Sequence, residues 1–475
     1  MTRKKLRTLT LVGVIYFSVS GGPFGLEELI SSSGAGMALL ALVIVPIVFS
    51  VPTALMSAEL GSAIPVEGGY YYWVKSAMGP FAGFTVGIWQ WLNSFLDTAL
   101  YPVIAVDYLA QWFPGLERGN GAVLSLFDGR VSLDAHWVAA IAIMVPLAWL
   151  NIRGSRLVGD FSVLLMVLIL LPFFVMTVLG LLRIIGGSDA LASLPFTASP
   201  HQSPMAAFGA GLGIVIWNYI GWDQPSTVLG EVDRPGRTYG RALAISLPLI
   251  AIAYVLPTLA ALASGLHAGH PGRWEDGDFA SAGALLGGPW LMLAITIGAL
   301  ISQVGLFSSL LMSGARIPKV LAGDGYLPGA LARDGRYGTP TTAILVSCAI
   351  FAVFCALDFT TLVDADIITN LAALMLEFAA FLVLRRRFPN LVRPFRVRGG
   401  WFSAALIVLL PAALTVYMVI STWHEEPGAL WVGVMILAIG VALHPVLNHF
   451  VKRGRPDAPV DIDLGAPAGA VATSV

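Results

Sequence analysis

Carboxylates set into long apolar stretches carry the chemistry of this sequence. Glu27 and Glu28 follow the string Ser20-Gly21-Gly22-Pro23-Phe24-Gly25. Being adjacent, they project about 100° apart on a helix and cannot both face one way. Asp97 has Asn93 four residues before it and Tyr101 four after it, which puts all three on one helical face. Asp223 lies in Trp217-Asn218-Tyr219-Ile220-Gly221-Trp222-Asp223-Gln224-Pro225, where Trp217, Tyr219 and Trp222 can either wall a site or pack. A carboxylate at the centre of a membrane helix costs about 2.5–3.5 kcal/mol on insertion scales. It is kept there to hold a cation, a proton or a structural partner. A carboxylate beside an amide and aromatic rings suits an ammonium group, through charge and cation–π attraction. Two or three separated carboxylates match a di- or triamine. A zwitterionic amino acid would instead lay its carboxylate on free N–H groups at a half-helix N-terminus. Gly21, Gly22 and Gly25 offer those groups as well, so the residues leave both substrates open, and the excess of buried acid tilts toward amines.

The elements that must position these groups are membrane helices. The chain has 475 residues, 57% hydrophobic and only 12% charged, against about 25% charged in soluble domains. Lipid is therefore the solvent for most of it. Stretches long enough to cross a bilayer fall near 10–32, 37–61, 80–112, 134–152, 157–183, 203–229, 239–266, 284–313, 340–358, 362–384, 401–422 and 428–450. With these twelve spans, only Arg118, Arg130, Arg183 and Arg273 of the 27 Lys and Arg residues fall outside the loops on the N-terminal side. That bias places both termini in the cytoplasm. The basic start (Arg3, Lys4, Lys5, Arg7) and its apolar run read as an uncleaved, interrupted first span rather than a cleaved signal.

Two spans are not clean helices. Glycines around Pro23 break the first, and Asn, Gly, Asp, Gln and Pro break the sixth. Unwound backbone at membrane depth survives only against protein or a wet cavity. Broken helices at corresponding positions of two halves point to a carrier's central site. The expected architecture is an all-α integral membrane protein in which spans one to five and six to ten form inverted repeats, with spans eleven and twelve outside them. Residues 1–9 form a cytoplasmic segment, 10–400 the ten-helix core, 401–452 the last two helices and 453–475 a disordered cytoplasmic tail.

SGGPFGLEE resembles the unwound motif of the amino acid–polyamine–organocation transporters. Its Gly-Gly-Pro-Phe-Gly-x-Glu form is similar to the polyamine uptake branch. Further similar strings are IPVEGGYYYWV at 64–74, WQWLNSFLDTALYPV at 89–103 and WNYIGWDQPSTVLGEVDRPGRT at 217–238. GDGYLPGALARDGRYGTP at 323–340, LEFAAFLVLRRRFPN at 376–390 and RPFRV at 393–397 continue the match to about residue 450. The resemblance implies the LeuT-type fold, with broken first and sixth helices, and alternating access by proton-coupled symport or by exchange. It matches Glu27, which is taken as the amine partner.

Other acids read as coupling or gating groups. Glu59 in span two and Glu231 at the end of span six read as structural or gating acids, with Glu231 near Arg234 and Arg237 for a gate salt bridge or an ordinary loop pairing. Glu377 in span ten precedes Arg385, Arg386 and Arg387, as a proton carrier or a structural partner. A proton on a buried acid is the preferred coupling ion. Ser308 and Ser309 in span eight offer hydroxyls of the kind a sodium site uses, although serines at membrane helix contacts are common. The family's coupling lysine in span five has no counterpart here.

No cofactor and no metal site is expected. His267, His270 and His424 lie in outer loops, and no Gly-Lys-Ser/Thr follows a glycine loop, which leaves no ATPase motif. Cys348 and Cys355 are about 10 Å apart along a helix, too far for a disulfide. A net charge of −1 gives no field for nucleic acid. The expected partners are lipid and a small organic cation or amino acid, in the cell (inner) membrane. The expected function is a secondary carrier for polyamines, with an amino acid permease as the alternative and a non-transporting sensor behind both.

Overall fold

A computed structural model describes residues 5–451 except 111, 127–130, 188–193, 269, 357–359 and 426. The expected tail after 452 lies outside the described residues. The chain runs through α1 (Thr8–Val19), α2 (Leu26–Ser33), α3 (Ala35–Val45), α4 (Val51–Ala63), α5 (Tyr70–Met78) and α6 (Pro80–Ala110). A two-stranded hairpin, β1 (Leu124–Leu126) and β2 (Val131–Leu133), precedes α7 (Ala135–Arg153), α8 (Ser155–Ile185) and α9 (Pro204–Tyr219). Then follow α10 (Pro235–Ala263), α11 (Asp278–Gly287), α12 (Pro289–Gly314), α13 (Arg316–Gly323), α14 (Thr341–Phe354), α15 (Thr360–Arg387), α16 (Gly400–Glu425) and α17 (Pro427–Val451).

Nine helical segments among the described residues are long and apolar enough to cross a membrane. α1 and α14 are shorter apolar helices. Apolar residues all round these helices leave large side chains such as Leu164, Leu168, Leu171 and Phe174 of α8 exposed where lipid replaces water. Burial sorts the helices: 67% of the apolar window of α15 is inside the protein, against 22% for α16 and 17% for α17. α15 is thus central, packed on α5 and α6, while the last two helices lie at the periphery. Local chemistry fixes several starts. Asp134 caps α7 by accepting from Trp137 N at 2.9 Å, and Ser203 caps α9 from Ala206 N, with Pro204 at the first helical position.

Both expected breaks are present. α1 ends at Val19 and α2 starts at Leu26; α9 ends at Tyr219, and two short 3-10 turns, Gln224–Thr227 and Leu229–Glu231, carry the chain to α10. The second break touches the end of α1. Gly221 has φ +99°, and a Cβ there would overlap the Ser18 carbonyl oxygen. A Cβ on Gly21 would overlap the Ser302 hydroxyl of α12.

The face holding the N-terminal segment is sealed. Leu6 is fully buried and pairs with the strand-like stretch after the second break, donating to Glu231 O and accepting from Asp233 N. Glu231 meets Arg316 Nη2 at 2.9 Å and Nε at 3.1 Å. This corrects the expected pairing of Glu231 with Arg234 and Arg237, which are exposed; a buried carboxylate takes the guanidinium that is buried with it. Lys319 bridges Glu67 and Asp334, each at 2.8 Å, and Lys75 meets Asp324 at 2.8 Å. Glu59 gathers Arg385, Arg393 and the Val397 N–H, tying α4 to α15 and to the loop after it. Both cysteines are free.

Candidate functional site

The unwound strings create a cavity of about 560 Å³ between them. Its floor is made by Gly21, Gly22, Phe24 and Gly25 of the first break, Trp217 and Asn218 at the end of α9, and Ser302 and Gln303 of α12. Tyr101 and Tyr254 close its sides, and Tyr254 donates to Asn218 O at 2.9 Å. It opens away from the sealed face, where Glu28, Asp107 and Asp276 are exposed on its wall. Partial burial raises the Asp276 carboxyl above the ordinary aspartate value. His136 faces Asp107 from α7 at 2.8 Å. Among the described residues, the lining holds three carboxylates and no lysine, arginine or histidine.

Of the expected trio on α6, Tyr101 alone is in the cavity lining. Tyr101 donates to Asp97 Oδ1 at 2.7 Å, and Asp97 is partly exposed. Asn93 turns to a residue that sequence reasoning missed: its Nδ2 donates to Asp366 Oδ1 of α15 at 2.7 Å. Asp366 is 1% exposed and faces Asp97, so two carboxylates meet beside the Tyr101 wall. The available signal was Asp366 itself, an acid in an apolar span eleven residues before Glu377.

The two adjacent glutamates separate as their spacing requires. Glu28 reaches the cavity wall. Glu27, expected to meet the amine, is 2% exposed and turned to backbone. Its Oε2 accepts from Gly25 N at 3.0 Å and its Oε1 from Phe279 N at 3.3 Å. Ser20 is likewise local, its hydroxyl accepting from Gly22 N at 3.1 Å.

Around the second break the aromatic residues divide. Trp217 lines the cavity, whereas Tyr219 donates to Leu42 O at 3.0 Å and Trp222 is wholly buried off the cavity. Asp223 is buried off the cavity, opposite Glu377. Of the two readings of Glu377, the structure does not pair it with the arginines after it: Arg385 belongs to Glu59, and neither Glu377 oxygen has a hydrogen-bond partner among the described residues. Ser308 and Ser309 face α7 and α8. Asn151 donates to Ser308 O at 3.2 Å, and the Ser162 and Ser309 hydroxyls are 3.2 Å apart.

Known proteins agree with this construction. The family model described as amino acid permease matches residues 6–442. A probable polyamine transporter of Arabidopsis thaliana is 35% identical over 94% of this chain and 87% of its own length. Polyamine transporter PUT1 of Oryza sativa subsp. japonica is 34% identical over 94% of this chain and 79% of its own. Polyamine transporter RMV1 of Arabidopsis thaliana is 33% identical over 95% and 87%. A match over nearly the whole chain, carried on a bundle of apolar helices with two broken ones around an acidic cavity, makes this a multi-pass membrane transporter of the amino acid permease family.

Proposed function

We propose that the protein carries polyamines across the cytoplasmic membrane by alternating access, coupled to protons. The observation that carries this reading is the charge of the cavity. Its ionisable wall is acidic at the mouth (Glu28, Asp107, Asp276), and the facing pair Asp97–Asp366 lies behind its Tyr101 wall. Phe24, Tyr101, Tyr108, Trp217 and Tyr254 supply ring faces between them. Spaced ammonium groups joined by methylenes fit such a wall by charge, by cation–π attraction and by apolar contact. A zwitterion is less well served, because the Gly25 N–H at the start of α2 is already held by Glu27. The names of the plant relatives support the same substrate class.

The fold reading that goes with this is twelve spans in a LeuT-type arrangement. α1–α2, α3–α4, α6, α7 and α8 form one unit. α9 with its break, α10, α12, α14 and α15 form its inverted partner, and α16 and α17 lie outside. The sealed face is then cytoplasmic and the cavity opens outward.

The test is uptake of radiolabelled putrescine and spermidine into proteoliposomes with and without an inward proton gradient. Saturable, gradient-stimulated uptake that is competed by spermine, and not by leucine or arginine, is expected. Saturable uptake of an amino acid with none of a polyamine would overturn the reading. The mouth acids act by steering. Neutralising them together (Glu28→Gln, Asp107→Asn, Asp276→Asn) is expected to raise the KM for spermidine by about three- to ten-fold with kcat kept. Added salt should then matter less than in the parent protein. Because Asp276 loses its charge at a higher pH than an ordinary aspartate, its share of the attraction fades early as pH falls.

A further inference from the structure

Asp223 and Glu377 are not accounted for by the cavity. Asp223 lies within the second break and is 1% exposed; Glu377, in the middle of α15, is 0% exposed. Their carboxyls face each other, and neither lines the cavity. Asp223 Oδ2 and both Glu377 oxygens lack a hydrogen-bond partner among the described residues. The reason is chemical: an ionised carboxylate only accepts, so two of them facing each other have nothing to share. The ionisable groups facing the pair are the hydroxyls of Tyr70 on α5 and Tyr239 on α10. Tyr239 is committed to Trp222 O at 3.1 Å. Among the described residues no lysine, arginine or histidine forms a salt bridge with either acid, and the nearest basic run on α15 is drawn to Glu59.

Two like charges this close, away from water and without a counter-ion, cannot both persist. The missing donor must be small, since both acids are buried and neither lines the substrate cavity. A proton fits: one carboxylate becomes a carboxylic acid and donates to the other, taking the pair from two negative charges to one. We infer that Asp223 and Glu377 together form the proton-carrying site of the transport cycle, separate from the substrate cavity and placed between the second break and α15. The position suits the task. Asp223 rides on unwound backbone, and the next turn is tied into the sealed face, where Ser226 Oγ accepts from Tyr70 N at 3.2 Å. Parting the break from α15 lets the proton leave on the far side, as rocking of one helix bundle against the other requires.

This inference rests on the transport reading above, and the experiment separates the two. Glu377→Gln, which keeps shape and supplies its own donor, is compared with the parent protein in proteoliposomes. Spermidine exchange at equal pH is expected to stay within about two-fold, while proton-driven accumulation falls at least about ten-fold. In infrared difference spectra taken across a pH step without substrate, the parent is expected to show a protonated-carboxyl C=O band that Glu377→Gln lacks. Undiminished proton-driven accumulation in Glu377→Gln, or a protonated-carboxyl signal that loses no component relative to the parent, overturns the inference. Should that variant not fold, Asp223→Asn must shift the same band, and an unshifted band counts equally against it. A parent protein that moves no polyamine defeats the substrate reading alone, because the infrared arm still decides the proton site.

Discussion

Gly221→Ala is expected to yield no functional transporter, the largest effect of any single methyl group in this protein. Gly221 holds a φ of +99°, where an L side chain is strained, and its missing Cβ is the space occupied by the Ser18 carbonyl oxygen. Both partners are backbone, Gly221 in the unwound stretch and Ser18 in the last turn of α1, so no rotamer change relieves the overlap. The two breaks would have to separate, and with them the cavity floor. The cost belongs to the exceptional tail of single substitutions, above about 4 kcal/mol. Fluorescence-detected gel filtration of tagged protein would read this as loss of the monodisperse peak. Gly272→Ala, with open space where its Cβ would go, should behave as the parent. A normal peak and normal uptake for Gly221→Ala would mean that the two breaks do not depend on this contact.

The second large effect is expected at the acid pair behind the cavity's Tyr101 wall. Asp366→Asn preserves the acceptor that Asn93 uses at 2.7 Å, so the fold should hold. Asp97→Asn likewise keeps an oxygen for Tyr101. What each removes is negative charge that a desolvated ammonium needs. Truncating one partner of a buried charge pair costs about 2–5 kcal/mol, so kcat/KM for spermidine should fall at least about 30-fold in each variant. The double variant should lose little more than either single one, because the two carboxylates serve one ammonium and their effects are coupled. If both single variants bind and carry spermidine normally, the pair is structural and the polyamine assignment loses its main support.

What could be read from the residues followed from how local each signal was. The broken helices announce themselves through Gly21, Gly22, Pro23 and Gly25, and again through Gly221 and Pro225, because backbone chemistry is written in consecutive residues. The Asn93–Asp97–Tyr101 face was likewise fixed by helical spacing, and the structure assembles its Asp97–Tyr101 hydrogen bond. Asp366 was not readable as a partner of Asp97. That contact joins α6 to α15 across hundreds of residues, and no spacing rule spans such a distance. The same holds for Glu231, whose neighbours in sequence, Arg234 and Arg237, point outward while Arg316 arrives from α13. Spacing showed that Glu27 and Glu28 must diverge. Which of them would face the cavity depended on the approach of Phe279 from the chain after α10, a tertiary fact.

The carboxylate of Glu27 has a consequence for selectivity that concerns what stays out. By accepting from the Gly25 N–H, it acts as a resident anion on the half-helix end that would otherwise attract one. It is tethered two residues from its donor, so its effective concentration there far exceeds that of any dissolved solute. A free carboxylate from an amino acid would have to displace a competitor that never diffuses away. The Gly25 end of the first break is in this sense already occupied by its own chain.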